Sequence, residues 1–234
     1  MRVLTLLAHP DDMELHCAGT LLKMKKAGHT IINCHVANGN MGHMVIMPDE
    51  LRDIRRKEAV KASKMVGFEC VTADIGDLTV NAADEDQKMR VLKIIREAKP
   101  DLIITHAPND YMIDHREVSK LAFDMSFAAS CPHFHPELGE AVDLMPLYYT
   151  TTSDNMDFQP TEYVDITEEF DTVADMLRCH ESQLVWLKDH DGIDVVENQR
   201  TLAASLGAQC GAKLAEGFAP CTVSGRMRTY RILP

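Results

Sequence analysis

From Val3 to Ser130 the chain alternates short apolar runs with helix-patterned segments, and this alternation limits the available folds more than any other feature. Val3 to Ala8 is a continuous apolar run of strand length, followed by a helical stretch from Ala18 to Ala27 that stops at Gly28. Thr30 to Ala37 is rich in β-branched residues and closes on Asn38-Gly39. Between Pro48 and Val66 the residues Leu51, Ile54, Ala59, Ala62 and Met65 recur at helical spacing, with Pro48-Asp49-Glu50 as the start and Gly67 as the stop. Cys70 to Ile75 reads as a third strand, Asp84 to Ala98 as a helix, Leu102 to Thr105 as a buried strand and Asp114 to Ser130 as a helix. Such a β-α-β-α order specifies a mostly parallel sheet with helices on both faces, because a parallel connection must cross over the sheet.

Beyond Cys131 the pattern loosens. Leu147 to Thr152 and Tyr163 to Ile166 read as strands, and Thr167-Glu168-Glu169 opens a helix expected to reach about Leu187. A further helix is expected from Glu197 to Glu216, with an extended tail from Phe218 to Leu233. Neither a repeat nor a linker interrupts the chain, so residues 1–234 are read as one α/β domain, Rossmann-like, with an irregular C-terminal part.

In open α/β sheets the working site lies beyond the carboxyl ends of the strands. Two strand ends here carry dense polar clusters: His9-Pro10-Asp11-Asp12-Met13-Glu14 after the first, and the stretch from Thr105-His106 to Asp114-His115 after the fourth. Pro-Asp-Asp alone is a common turn and helix start. Two imidazoles and one carboxylate, however, form a catalytic zinc set that leaves the fourth position to water. His9 and Asp12 lie three residues apart, where a tight turn aims both at one point, and His115 closes the set. Asp11 is then left as acceptor for the proton of a metal-bound water. Asp114 is suited to orienting a ring nitrogen from behind. Such a site also accepts iron, cobalt or manganese.

The motif Ala8-His9-Pro10-Asp11-Asp12-Met13-Glu14, followed by Cys17-Ala18-Gly19-Thr20-Leu21, resembles the signature of the LmbE/PIG-L family of zinc-dependent deacetylases. Asn38-Gly39 with Gly42, Ile54 to Ala59, Asp110-Tyr111 to Asp114-His115, His180 to Gln183 and Ala215 to Phe218 are similar to its later landmarks. The resemblance implies removal of an N-acetyl group from an N-acetylglucosamine-type sugar or conjugate. It implies His9, Asp12 and His115 as zinc ligands, Asp11 as general base, Asp114 as its supporting partner, and Arg55 and Asn38 near the substrate. It also implies a homo-oligomer, trimeric or hexameric. In one place the chain departs from the family. The family's second motif reads His-Pro-Asp-His, and its first His helps stabilise the oxyanion; here Met112 stands there. A thioether donates no hydrogen bond, which leaves His106 at the strand end and Tyr111 beside Met112 as candidate donors.

Rival readings are an amidase for a larger acyl conjugate and, from a different class, a nucleotide-binding module. Against the module, the first strand-to-helix turn lacks GxGxxG and carries two acids that repel phosphate. With 36 acidic against 24 basic residues the net charge is −12, which disfavours nucleic acid and anionic membranes as partners. The seven Cys are widely spread without a CxxC and read as reduced thiols. No apolar run approaches the roughly 20 residues of a membrane span, and the start is too short in its apolar core for a secretory signal, so a cytoplasmic location is expected. Of the remaining groups, Glu14 is read either as a catalytic acid or as a first-turn residue favoured by the helix dipole. His133 and His135 lack a further ligand, and Met41, Met44 and Met47 are candidates for an apolar pocket wall.

Overall fold

A computed structural model describes residues 1–152 and 158–234 of the chain. Strand β1 (Arg2–Leu7) is buried on both faces, which is why it reads as an unbroken apolar run. Its alternation is still visible in the packing. Val3 and Leu7 enter one core with residues of α2 (Ala18–Lys26) and α3 (Pro48–Met65). Leu4, Leu6 and Ala8 enter the other, with Val91, Leu92 and Ile95 of α4 (Glu85–Ala98) and Val118, Leu121 and Met125 of α5 (Ile113–Ala128). The short α1 (Asp12–His16) follows β1 directly. With β2 (Thr30–Ala37), β3 (Glu69–Ile75), β4 (Leu102–His106) and β5 (Leu147–Thr150), the first five strands are all parallel, as the α/β pattern requires.

The described residues form one seven-stranded sheet in the order β3-β2-β1-β4-β5-β7-β6. Here β6 is Glu162–Asp165, and β7 (Ala215–Pro220) runs antiparallel to both its neighbours. The order reverses direction at β1, which pairs with β2 on one side and β4 on the other; a crevice opens at such a switch point. All seven cysteines are free thiols. Among the described residues no helix is long and apolar enough to cross a membrane.

The C-terminal part differs from its pattern in three places. The helix expected to reach Leu187 is two helices, α6 (Phe170–Leu177) and α7 (Glu181–Asp191), broken where His180 drops fully buried to within 3.4 Å of Glu14. The helix expected to reach Glu216 ends earlier, as α8 (Val195–Cys210), and Ala215 and Glu216 belong to β7. The extended tail continues only to Pro220. Glu216 explains the second difference. Its carboxylate accepts from the N–H groups of Gly19 and Thr20 at 2.8 Å each and from the Thr20 hydroxyl at 2.6 Å. It therefore caps the amino end of α2 from almost two hundred residues away, satisfying donors that the helix itself leaves open. Gly19 must be glycine for this contact: a Cβ there would lie 2.5 Å from Ile166 Cγ2.

Two stability measurements follow from these buried groups. Glu216→Gln places an amide NH2 against Thr20 donors, and chemical denaturation is expected to show a loss of about 1–3 kcal/mol. His35, on β2, is 3% exposed, and its pKa is pushed down to about 3 by burial and then by the nearby Arg55. The native state thus holds this proton more weakly than the unfolded chain, where the value is 6.5. Its contribution to stability is complete above pH 6.5 and falls as pH drops toward 3, by at most about 1.4 kcal/mol per pH unit. His35→Asn should flatten that part of the stability–pH curve.

Candidate active site

Because β1 and β4 are parallel and paired through Leu6 and Thr105, their carboxyl ends deliver both polar clusters to the same crevice. His9 and Asp12 sit on the turn from β1 into α1, where the Asp12 N–H donates to the His9 carbonyl at 3.2 Å and Asp12 Oδ2 accepts the His9 N–H at 2.6 Å. His115 lies in the first turn of α5, which follows β4. His9 Nδ1, Asp12 Oδ2 and His115 Nε2 form a nearly equilateral triangle with sides of 3.3, 3.4 and 3.5 Å. Tetrahedral coordination with bonds of 2.0–2.1 Å separates ligand atoms by roughly 3.3–3.4 Å, so these donors fit a zinc ion in spacing and in type.

Both imidazoles are aimed from behind. His9 Nε2 lies 3.2 Å from Asp114 Oδ2, which turns Nδ1 toward the triangle. His115 Nδ1 lies 3.1 Å from Asp110 Oδ2, which does the same for Nε2. Asp114 Oδ2 also accepts the Leu78 N–H at 2.8 Å, and Asp110 Oδ1 accepts the Met112 N–H at 2.9 Å. Two overlapping clusters, His106–Asp110–His115 and His9–Asp77–Asp114, also have metal-compatible spacing. Their groups are engaged elsewhere: His106 Nε2 accepts the Ala8 N–H at 2.9 Å, and the Asp77 oxygens accept the N–H groups of Gly39 and Met41.

The charge state follows from this crowding. Burial opposes ionised Asp12, but the fields of His115 and His106 outweigh it and hold the carboxyl well below its usual range. Burial also opposes protonated His9, yet its bonds to Asp114 and Asp12 raise it to about 10. The centre therefore draws a positive charge to the triangle. His106 is the opposite case, pushed down to about 3 by burial and by His115.

A cavity of about 300 Å³ opens over the triangle, lined by His9, Asp11, Asp12, Arg55, Tyr111 and His115 together with the apolar Leu15, Met41, Leu78, Met112 and Leu187. Asp11 stands at the residue before α1 without a side-chain capping bond, and its Oδ1 accepts from Arg55 Nη2 at 2.8 Å. Arg55 reaches it from α3 beneath the β2–α3 loop, whose Gly39 has φ +78° and no room for a Cβ, which would lie 2.7 Å from Arg55 Nε. A larger depression of about 430 Å³ at the β3 edge, lined by Arg2, Cys70 and Ile94 among others, holds none of the metal-compatible clusters.

The structure thus brings Asp11, Asp12, His9, His115, Asp114, Arg55 and Tyr111 to one place. Two sequence candidates stand apart from the cavity. Asn38 does not line it; its side chain donates to Asp74 Oδ1 at 3.1 Å and accepts the Asn40 N–H, building the loop instead. His106 does not line the cavity; its ring is stacked at 3.8 Å on that of His115, and its Nε2, which accepts the Ala8 N–H, lies 3.2 Å from Asp12 Oδ2 on the side away from the cavity. Sequence reasoning missed Asp77, which ties the β2–α3 loop to the turn after β3, and Asp110, the partner of His115. Asp110 was the more legible of the two, since it shares the cluster that holds the ligand.

A scan against protein families matches residues 4–126 to the family described as PIG-L, GlcNAc-PI de-N-acetylase, and the chain belongs to it. Among curated proteins it is 26% identical over 230 residues to the diacetylchitobiose deacetylase of Thermococcus kodakarensis, covering 93% of this chain and 82% of that protein. It is 24% identical over 187 residues to the 4-oxalmesaconate hydratase of Pseudomonas putida, covering 75% and 71%. Among solved structures, the N,N'-diacetylchitobiose deacetylase from Pyrococcus horikoshii superposes with a TM-score of 0.81 at 24% identity, covering 94% of this chain and 83% of the other. The 4-carboxy-2-hydroxymuconate hydratase of Pseudomonas putida gives 0.83 at 20%, covering 99% and 100%.

If the triangle holds zinc, His9→Ala and His115→Ala each strip the metal, since two remaining ligands hold it poorly. Asp110→Asn should weaken zinc binding by about 10–100-fold without abolishing it. Metal analysis after dialysis against a graded chelator series checks both; full retention by either Ala variant would move the site elsewhere.

Proposed function

We propose that the chain is a zinc-dependent N-deacetylase that hydrolyses the acetamide of an N-acetylglucosamine-type sugar. The observation that carries this reading is the ligand triangle opening into a cavity beside Asp11. His9, Asp12 and His115 would hold the ion. When bound, zinc supplies a Lewis acid for the acetyl carbonyl and acidifies water.

The remaining chemistry belongs to the chain. Arg55 fixes Oδ1 of Asp11, which leaves Oδ2 to take a proton from the attacking water and later to return it to the departing amine. Asp114 and Asp110 keep the two imidazoles in the orientation that binding requires. Met112 lines the cavity but donates nothing, and His106 is occupied behind His115 as a support. Tyr111 lines the cavity, its ring 6.4 Å from that of His115, and is the hydroxyl we assign to the oxyanion. The relatives named for deacetylation of diacetylchitobiose support the substrate class. We further propose that residues 1–234 act as one domain in the cytoplasm, assembled as a homo-oligomer; the family resemblance supports the assembly.

Similarity to a hydratase raises a second reading, addition of water to a carboxylate-bearing enol. The described residues lining the cavity include Asp11, Asp12, Asp77 and Asp114, and their one guanidinium, Arg55, already pairs with Asp11. That balance suits a neutral acetamide better than a polyanion.

Acetate release from acetylated amino sugars by the zinc-loaded protein tests the reading. Hydration of an enol carboxylate with no acetate released would replace it. Asp11→Asn keeps shape but accepts no proton, so zinc should remain while turnover falls by about 10²–10⁴-fold. Loss of zinc would instead make Asp11 a ligand. Tyr111→Phe should lower kcat at least tenfold with zinc content unchanged.

A further inference from the structure

Residues 41–47 carry Met41, Met44 and Met47 at intervals of three, with His43 between them and no carboxylate in the stretch. Methionine ordinarily fills irregular gaps in a core. Met44 and Met47 fill none: they are 72% and 70% exposed, and of the three only Met41 lines the cavity over the triangle. What an exposed thioether still offers is a soft, polarizable sulfur lone pair. That is a ligand for monovalent copper and a poor one for magnesium, calcium or manganese, which take oxygen.

The same loop is folded against α7, which supplies imidazole nitrogen. The His43 ring packs on the Trp186 indole at 5.1 Å, tilted by 37°, and His190 stacks on that indole at 4.2 Å and 26°. The two imidazoles differ in what they can give. His43 Nδ1 accepts the N–H groups of Val45 and Ile46 at 3.0 and 3.1 Å, so its proton sits on Nε2 and its lone pair is already used. Those bonds wrap residues 43–46 around the ring and hold the stretch between Met44 and Met47 beside the indole. His190 is the reverse case. Its Nδ1 lies 2.7 Å from Asp191 Oδ1, and a carboxylate only accepts, so the proton is on Nδ1 and the lone pair of the neutral ring is on Nε2. A ring fixed in one tautomer by a carboxylate is the usual state of a metal-binding histidine. The His190 side chain is 45% exposed, so a cation reaches it from solvent.

We propose that Met44, Met47 and His190 form a surface site for a monovalent copper ion, with the Trp186 indole beside it and His43 fastening the loop. Two thioethers and a neutral imidazole carry no charge, which suits a monovalent cation of soft character, whereas a hard divalent ion finds no oxygen among them. Binding changes no oxidation state and releases no proton, since all three donor atoms carry free lone pairs. The site is distinct from the triangle of His9, Asp12 and His115 and stands whether or not the chain is a deacetylase.

Trp186 is the only tryptophan of the chain, so its fluorescence reports on this place alone. Thiols also bind soft cations, and Cys70, Cys131 and Cys210 are partly or fully exposed. The test therefore uses the zinc-loaded full chain carrying Cys70→Ser, Cys131→Ser and Cys210→Ser. Cu(I) is delivered from its bicinchoninate complex under anaerobic, reducing conditions, and Trp186 emission and zinc content are followed together. Emission should be quenched to saturation at about one copper per chain, with the zinc retained. In His190→Phe, and separately in a Met44→Leu, Met47→Leu double variant, copper affinity should fall at least about tenfold, because each removes donor atoms while keeping the ring or the apolar bulk. Ag(I), equally soft but redox-silent, should give the same pattern, which separates binding from oxidation of the indole. Emission unchanged by copper overturns the proposal, as does quenching that appears only as zinc is released. Full affinity in His190→Phe overturns it even where the methionine variant loses binding, because the nitrogen ligand is then a different one. Full affinity in the methionine variant does so equally, since the sulfur atoms are then not ligands.

Discussion

Five aspartates and three imidazoles crowd the crevice above β1 and β4, and so much buried charge is tolerable only because backbone donors from several loops meet it. Asp77 takes the N–H groups of Gly39 and Met41, Asp114 that of Leu78, Asp110 that of Met112 and Asp12 that of His9. The conformations of the loops after β1, β2, β3 and β4 are thereby fixed by the same carboxylates that orient the proposed ligands. Each loop depends on the others through the site. This is why the positive φ values of Gly39 and Leu78 occur here and why Arg55, reaching under the first of these loops, needs the glycine above it.

The same crowding divides the labour among residues that look alike in sequence. Asp11 and Asp12 are neighbours, yet one faces a guanidinium and the other three imidazoles. His106 and His115 stack face to face, but the first accepts a backbone N–H while the second turns its Nε2 to the triangle. Position relative to the strand end decides the role. A group at the last residue of β4 is trapped behind the helix start, whereas one in the first turn of α5 points across the crevice.

Met112 gives the site its other character. Where the family's pattern places a second imidazole, this chain places a thioether, and Leu15, Met41, Leu78 and Leu187 complete an apolar wall opposite the polar floor. Deacetylases and a hydratase alike are similar to this chain, so the fold by itself does not specify the reaction.

Much of this was legible in the sequence. The parallel half of the sheet followed from alternating patterns, because strands buried on both faces must be continuously apolar and crossover helices must be amphipathic. His9, Asp12 and His115 could be paired across a hundred residues, since parallel neighbours present their carboxyl ends on one side. What lay outside that reach depended on contacts with no local signal. Residues 213–216 continue a helical pattern, and only the capping of α2 by Glu216 reveals a strand. The helix break at His180 comes from its burial against Glu14. Asn38 and Asp77 exchange their expected importance because side-chain direction in a loop is set by whichever donors lie within reach. The sequence by itself determined the alternation of elements and the identity of the polar clusters, both encoded by residue type and spacing. The tertiary structure alone decided which nitrogen faces the triangle, and which imidazole, guanidinium or backbone N–H each carboxylate meets. Those depend on distances of about 3 Å between residues that the chain brings together only when folded.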